Sequence, residues 1–95
     1  MTAAYTSVAL PARLMQAQAQ VVANELASIL SACVTEGGKA VLDASALSQF
    51  DSSALAVILA CRRAVLARGA HLQITGLPAR AQALAKVYGL SELLH

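Results

Sequence analysis

The sequence predicts an α/β domain in which helices cover a small sheet, and two observations carry this prediction. Short segments of β-forming residues alternate along the chain with longer segments whose apolar residues recur every three or four positions. The connections between these segments are short, and such alternation is typical of a sheet with helices packed against it. The 95 residues fill one domain, residues 1–95, because no linker or internal repeat divides them.

The first half of the chain supplies two strands and a helix. Residues 5–14 (YTSVALPARL) alternate weakly, and Pro11 suits the edge or the end of a strand. From residue 15 to about residue 34 the apolar spacing predicts a helix that ends before a Gly-Gly pair. Residues 39–43 (KAVLD) form a short apolar run between turn signals, which predicts a buried central strand.

The second half supplies two more helices and another strand. A polar segment at residues 51–53 (DSS) opens the apolar run ALAVILACRRAVLAR, and Gly69 closes it, as expected for a helix. Residues 71–75 (HLQIT) alternate as a strand, and residues 79–87 (ARAQALAKV) predict a third helix. Residues 90–94 (LSELL) predict a final apolar turn that docks on the core.

The apolar composition comes from small side chains. Hydrophobic residues make up 58% of the chain and charged residues 13%, with a mean hydropathy of +0.63, which raises the question of membrane insertion. Alanine accounts for 22 residues, and the longest strictly apolar run covers only residues 54–61, whereas a spanning helix needs about 18 to 20 apolar residues. The first basic residue is Arg13, which does not fit a secretory signal. We therefore expect a cytoplasmic chain without direct membrane insertion.

Charge and cysteine content argue against a nucleic-acid-binding protein and against a disulfide-stabilised protein. A net charge of +2 is too small for a nucleic-acid footprint. Arg62, Arg63 and Arg68 share one predicted helix without interleaved aromatic residues, so nucleic acid is not an expected partner. Cys33 and Cys61 are far apart in sequence, which favours a reducing compartment and buried, inert thiols.

No residue pattern predicts an enzyme, a cofactor site or a metal site. His71 is a lone imidazole and His95 is terminal, and neither has a partner at catalytic spacing. The glycine pair at residues 37–38 lacks the frame of a phosphate-binding loop. Asp43 and Asp51 flank a loop and suggest a cation site, but loop ordering or helix capping is the favoured interpretation for Asp51.

The second helix is apolar around most of its circumference. At about 100° per residue, one side forms the stripe expected to cover the sheet: Ala54, Val57, Ile58, Cys61 and Val65. The opposite side, flanked by Leu59 and Leu66, carries Ser52, Ala56, Ala60, Arg63 and Ala67. A helix face in contact with water would be rich in Lys, Glu and Gln. A chain of this length has too few residues to cover this second face of the helix with its own elements. The pattern favours a partner surface, where small residues four apart let another backbone approach closely, over a face that is merely alanine-rich and exposed.

The two serines at the start of this helix have two interpretations. Ser52 or Ser53 is a simple N-cap or first-turn residue, which the sequence alone favours. Alternatively, a phosphate placed there would meet unpaired N–H groups and the positive end of the helix dipole, and would add nearly two negative charges to the contact surface.

The segment LDASALSQFDSSALAVILACRRAVLARGAHLQITGL resembles the STAS domain. Bacterial anti-sigma factor antagonists, sulfate-transporter tails and the small STAS subunit of Mla-type phospholipid ABC transporters share this fold. The resemblance covers about residues 39–95 and implies a small mixed β-sheet with helices packed on it. The C-terminal stretch LPARAQALAKVYGLSELL and the short N-terminus are more similar to the Mla-type subunit than to the antagonists.

The resemblance also implies roles for the start of the second helix. In the antagonists the position of Ser53 accepts phosphate from a partner kinase, and in Mla-type members the position of Ser52 lies where the domain contacts the ATPase. Ala54 replaces the common glycine of the motif, which keeps the position small but removes backbone freedom.

The leading hypothesis is a non-catalytic STAS subunit that binds the ATPase of a phospholipid-trafficking ABC transporter at the cytoplasmic side of the inner membrane. Its predicted partner-binding residues are Ser52, Ser53, Ala56, Ala60 and Arg63. The alternative is an anti-sigma factor antagonist that binds an anti-sigma kinase and is switched by phosphorylation of Ser53. A third hypothesis is a homodimer that uses the same surface.

Overall fold

Strands and helices alternate along the described chain, as the sequence predicts. The structure is a computed structural model, and it describes residues 5–90. Its elements are, in chain order, β1 (Tyr5–Ala9), β2 (Arg13–Leu14), α1 (Gln16–Cys33), β3 (Lys39–Asp43), β4 (Gln49–Phe50), α2 (Ser53–Ala67), β5 (His71–Thr75) and α3 (Ala79–Val87).

Three strands form the main sheet, in the order β1-β3-β5. Both outer strands run parallel to β3, so that Leu42 lies opposite Val8 on one side and Ile74 on the other. The prediction of a central strand at residues 39–43 is confirmed. This strand is buried on one face, because Ala40 and Leu42 are fully buried while Val41 between them is partly exposed.

The two long helices lie on the same face of this sheet. The chain moves from β1 through α1 to β3, and from β3 through α2 to β5, so both crossovers step across the sheet in the same direction. Because such crossovers are almost always right-handed, both helices are placed on one face. There α1 and α2 pack along each other, and their first residues lie at the same end of the domain.

The face of α2 that covers the sheet is the one predicted from the helical wheel. The predicted stripe is fully buried, and Leu55 joins it. Opposite it, Leu30 of α1 and Leu42 of β3 are also fully buried. Burying a Leu, Ile or Val side chain contributes about 1.5–3 kcal/mol each, so this layer between the helices and the sheet is the main source of stability.

Helices α2 and α3 both end in a Schellman motif. After α2, Gly69 adopts a φ of +73°, and the Ala70 N–H donates to the Val65 carbonyl at 3.2 Å. After α3, Gly89 adopts a φ of +71°, and the Leu90 N–H donates to the Ala85 carbonyl at 2.7 Å. A left-handed residue is required at this position and glycine adopts it at the lowest cost, which confirms both predicted helix ends.

The N-terminal segment differs from its prediction, because residues 5–14 form two strands rather than one. Pro11 lies between them, and a proline has no N–H to continue a ladder. Beyond it, β2 pairs in parallel with β4, with Leu14 opposite Phe50. No sequence pattern predicts β4, because two residues are too few for a visible alternation.

The fold class is confirmed, with one difference in strand direction. The resemblance implied a mixed sheet, whereas every strand pair within residues 5–90 is parallel. The apolar turn predicted for residues 90–94 falls largely outside the described residues. Leu90, its first residue, packs against the core.

The two cysteines have different environments. The expectation of a buried thiol is confirmed for Cys61 and wrong for Cys33. Cys61 is buried, and burial raises the pKa of its thiol to about 11, because the thiolate would lose its hydration. Cys33 is the last residue of α1 and its side chain is exposed. The three- and four-residue apolar spacing of the predicted helix includes Cys33 and would place it on the inner face, but α1 ends at this residue and its side chain is exposed.

A close approach between the ends of β3 and β5 makes Gly76 sensitive to substitution. Gly76 has a φ of +67°, and a Cβ there would lie 2.7 Å from the Cβ of Ser45. We expect Gly76→Ala to lower the free energy of unfolding by about 2–4 kcal/mol, since left-handed strain and overpacking act together. Gly37→Ala is the control, because its φ is +77° but no atom lies within 4 Å of the added Cβ. Urea unfolding should show a smaller loss for Gly37→Ala; equal losses would contradict the steric argument.

Candidate functional site

The predicted partner-binding residues lie along one side of α2. Ser52, Ala56 and Arg63 are exposed, and Ser53 and Ala60 are partly exposed. Residues four apart on a helix lie one above another, so Ser52, Ala56 and Ala60 form a line that begins at the start of the helix. We call the five residues the α2 surface.

The rim of the α2 surface is apolar. Leu66 is 42% exposed, Leu59 is partly exposed, and Ala67 is exposed near the end of the helix. Arg63 is the charged member of the surface, and Arg62 beside it is partly exposed. The surface is therefore a shallow, largely uncharged strip at the serine end with positive charge farther along, and its small side chains leave room for a closely packed element.

The start of α2 is held by Asp51. One carboxylate oxygen of Asp51 accepts a hydrogen bond from the Ser53 N–H at 2.8 Å, and the other accepts one from the Gln16 N–H at 3.2 Å. Gln16 is the first residue of α1. A single carboxylate therefore joins the first turns of both helices, where backbone N–H groups lack partners within the helix.

The serines lie where the favoured interpretation puts them, with Ser52 at the N-cap position and Ser53 in the first turn, but Asp51 supplies the capping hydrogen bond. Ser52 has a helical backbone (φ −62°, ψ −17°) and its side chain makes no cap hydrogen bond. Asp51 supplies the cap instead, as favoured for that residue, and Ser53 is the first residue of the helix. The sequence could not distinguish these possibilities, because Asp and Ser are both strong N-cap residues.

The hydrogen bonds to Asp51 favour its charged form. The Ser53 N–H is the largest cause that holds the pKa of Asp51 below its ordinary value. Desolvation opposes this effect, and the Ser53 hydroxyl and the Gln16 N–H add smaller contributions that also lower the pKa. Asp43 follows the same rule at the end of β3: its carboxylate accepts the Ser45 N–H at 2.9 Å, and hydrogen bonds from Ser45 lower its pKa.

The two aspartates considered for a cation therefore each hold a backbone turn. Within residues 5–90, no group of three or more His, Cys, Asp or Glu residues is placed to hold a metal ion. His71 lies exposed on β5, away from both aspartates in the chain. In the same part of the chain, no helix has both the length and the apolar character needed to cross a bilayer.

One residue beside the site was missed by the sequence analysis. Arg80, in the first turn of α3, places its guanidinium carbon 4.6 Å from the centroid of the Phe50 ring. It also donates a hydrogen bond to the Phe50 carbonyl at 3.4 Å. An arginine in a helix carries no pattern that points to a ring 30 residues earlier, so only the tertiary structure reveals the contact.

The Asp51 cap predicts a specific pH dependence of stability. A carboxyl whose pKa is lowered by folding stabilises the fold above the pKa of the unfolded chain, and this contribution is lost as the pH falls through the folded pKa. We expect Asp51→Asn to be less stable than the original chain at neutral pH, and the difference to shrink below about pH 4. Urea unfolding at a series of pH values from neutral to acidic measures this difference in the free energy of unfolding. Glu25→Gln, which removes an exposed carboxylate from α1, is the control; a pH-independent difference for Asp51→Asn would contradict the charged cap.

Comparison with known proteins agrees with the fold. A family model described as Mlab, STAS domain matches residues 2–95. Among solved structures, the fold is similar to that of a sulfate transporter family protein from Wolinella succinogenes, with a TM-score of 0.72, 16% identity, and coverage of 97% of this chain and 72% of that chain. No curated protein matches the sequence. The family match spans nearly the whole chain, so the resemblance is confirmed and the chain belongs to the Mlab family of STAS domains.

Proposed function

We propose that this chain is a non-catalytic STAS subunit of an Mla-type phospholipid ABC transporter. It binds the cytoplasmic ATPase of the transporter, stabilises or regulates it, and so supports the maintenance of outer-membrane lipid asymmetry. Membership of the Mlab STAS family is the finding that favours this class of partner. The exposed α2 surface is the observation that carries the site, because it is a helix face whose small residues fit contact with another element better than contact with water.

The proposed contact depends on close approach of two backbones. Packed helices lie about 8–10 Å apart, and the smallest separations require small side chains at the crossing. Ala56 and Ala60 meet this requirement at the centre of the surface, and Ser52 meets it at the start of the helix. Leu66 would add apolar contact at the rim, and Arg63 would select for a partner with a carboxylate in reach.

The proposal assigns catalysis to the partner. The sequence contains no G-x-x-x-x-G-K-[ST] segment with which to hold nucleotide phosphates. A subunit of this kind acts by binding the ATPase and shifting its stability or its conformational equilibrium, since a ligand that prefers one state raises the population of that state. The partner also sets the location of this chain. It would lie at the cytoplasmic side of the inner membrane, bound to the ATPase and not inserted in the bilayer.

Large side chains on the α2 surface should release the partner. We expect Ala56→Arg and Ser52→Arg each to weaken binding to the Mla-type ATPase by at least about 100-fold, because a long charged side chain keeps the backbones apart. Ala32→Arg, at an exposed position of α1, gives the same chemical change outside the surface and should leave binding unchanged. Pull-down with titration of the ATPase measures the affinities, and far-UV circular dichroism verifies folding.

Retention of the complex in folded Ala56→Arg and Ser52→Arg would refute the proposed surface. Sedimentation of the isolated chain tests the homodimer hypothesis at the same face. A dimer that dissociates in Ala56→Arg would assign the surface to a second copy of the chain instead of the ATPase.

The alternative function is a phosphorylation-switched anti-sigma factor antagonist. It is favoured by the position of Ser53, which is the first residue of α2 and partly exposed. A phosphate of about −1.5 to −2 charge at this helix start would interact well with the dipole. It would also lie beside the Asp51 carboxylate and repel it, which would change the α2 surface.

This alternative predicts a mass change that the ATPase hypothesis does not require. Incubation with ATP and an anti-sigma kinase should add one phosphate to the chain, and Ser53→Ala should abolish the addition. Ser52→Ala is the matched control and should still be modified. An intact mass that stays constant under these conditions would exclude the antagonist role for that kinase.

A further inference from the structure

Arg80 contacts the strand that leads directly into α2. Its guanidinium lies over the Phe50 ring, with 4.6 Å between the guanidinium carbon and the ring centroid. One terminal nitrogen also donates to the Phe50 carbonyl oxygen at 3.4 Å. These two contacts join the first turn of α3 to β4, although the residues are 30 positions apart in the chain.

The carbonyl that Arg80 binds belongs to the peptide bond between Phe50 and Asp51. A peptide group is planar, so the Phe50 carbonyl fixes the plane that also contains the nitrogen and Cα of Asp51. Phe50 is 6% exposed, and its backbone pairs with Leu14 in the short parallel ladder. Ring and carbonyl are therefore held together, one residue before the carboxylate that caps α2.

We propose that Arg80 is a positioning residue for the α2 surface. It holds the Phe50–Asp51 peptide in the orientation from which the Asp51 carboxylate reaches the Ser53 N–H, and it thereby fixes where α2 begins and where Ser52 and Ser53 lie. The effect on partner binding rests on the proposed function, whereas the effect on the start of α2 is a property of the chain alone.

The chemistry requires arginine rather than a positive charge alone. A guanidinium is planar, stacks on an aromatic face and directs N–H groups sideways, so it covers the ring and donates to the adjacent carbonyl at once. A lysine ammonium is a compact charge on a flexible stem and makes one of these contacts at a time. The rest of α3 contacts the core through Ala81, Ala85 and the partly buried Leu84. Near the start of α3, Arg80 makes the contact that reaches β4.

Amide hydrogen exchange of the full chain tests the local effect. We expect Arg80→Gln to accelerate exchange of the Ser53 amide by about 3- to 10-fold, since local opening is governed by local contacts. Exchange of the central β3 amides should stay constant. Arg80→Lys should resemble Arg80→Gln rather than the original chain. Lys86→Gln, which removes the same charge from the last turn of α3, should leave Ser53 exchange unchanged.

The pKa of the Asp51 carboxyl is a second measurement that tests the positioning role. Loss of the Ser53 hydrogen bond in Arg80→Gln should move the pKa of Asp51 toward its ordinary value in a carboxyl NMR titration. Unchanged Ser53 exchange, equal acceleration throughout the chain, or full rescue by Arg80→Lys would each overturn the positioning role. Global acceleration would mean that Arg80 only stabilises the fold, and rescue by lysine would mean that charge alone acts.

Binding to the Mla-type ATPase separates this inference from the proposed function. Arg80→Gln should weaken binding by about 5- to 30-fold, and Lys86→Gln should not. Altered Ser53 exchange with unchanged ATPase affinity would overturn the link between Arg80 and the docking surface. If the original chain fails to bind the ATPase, the proposed function fails, and the exchange data still decide whether Arg80 positions the start of α2.

Discussion

The structure depends on one carboxylate placed between two helix starts. Parallel crossovers on the same face bring the first turns of α1 and α2 to the same end of the domain, so the positive ends of two helix dipoles lie close together. Asp51 offsets this charge by accepting from Gln16 in one helix and from Ser53 in the other. This bridge ties the start of α2 to the start of α1, while the buried layer beneath the helices decides which side of α2 is exposed.

The same constraint explains why the α2 surface begins where it does. Asp51 uses its side chain to hold the helix start, which leaves capping by Ser52 unnecessary. Ser52 can therefore point outward at the end of the line formed with Ala56 and Ala60. Structural capping and the proposed partner contact thus belong to adjacent residues, so we expect a change at Ser52 to alter the surface with little cost to the fold.

The sequence predicted the features that depend on local periodicity and failed where tertiary contacts decide. Strand β3, the buried stripe of α2 and the glycine after α2 each extend over a visible pattern, and the structure confirms them. The pairing of β2 with β4 involves two residues from each strand, and Arg80 reaches Phe50 across the chain. Neither leaves a periodic signal. The exposure of Cys33 was missed because a helical wheel ignores where the helix ends.

Ala54 fits the site although related motifs carry glycine at this position. It is the second residue of α2 and 1% exposed, inside the layer between helix and sheet. Among residues 5–90 no residue other than glycine has a positive φ, so the backbone at Ala54 requires no glycine. Alanine also favours a helix over glycine by about 1 kcal/mol. The methyl group therefore fills core space and stiffens the turn that presents Ser52 and Ser53, so the substitution strengthens the helix start instead of distorting it.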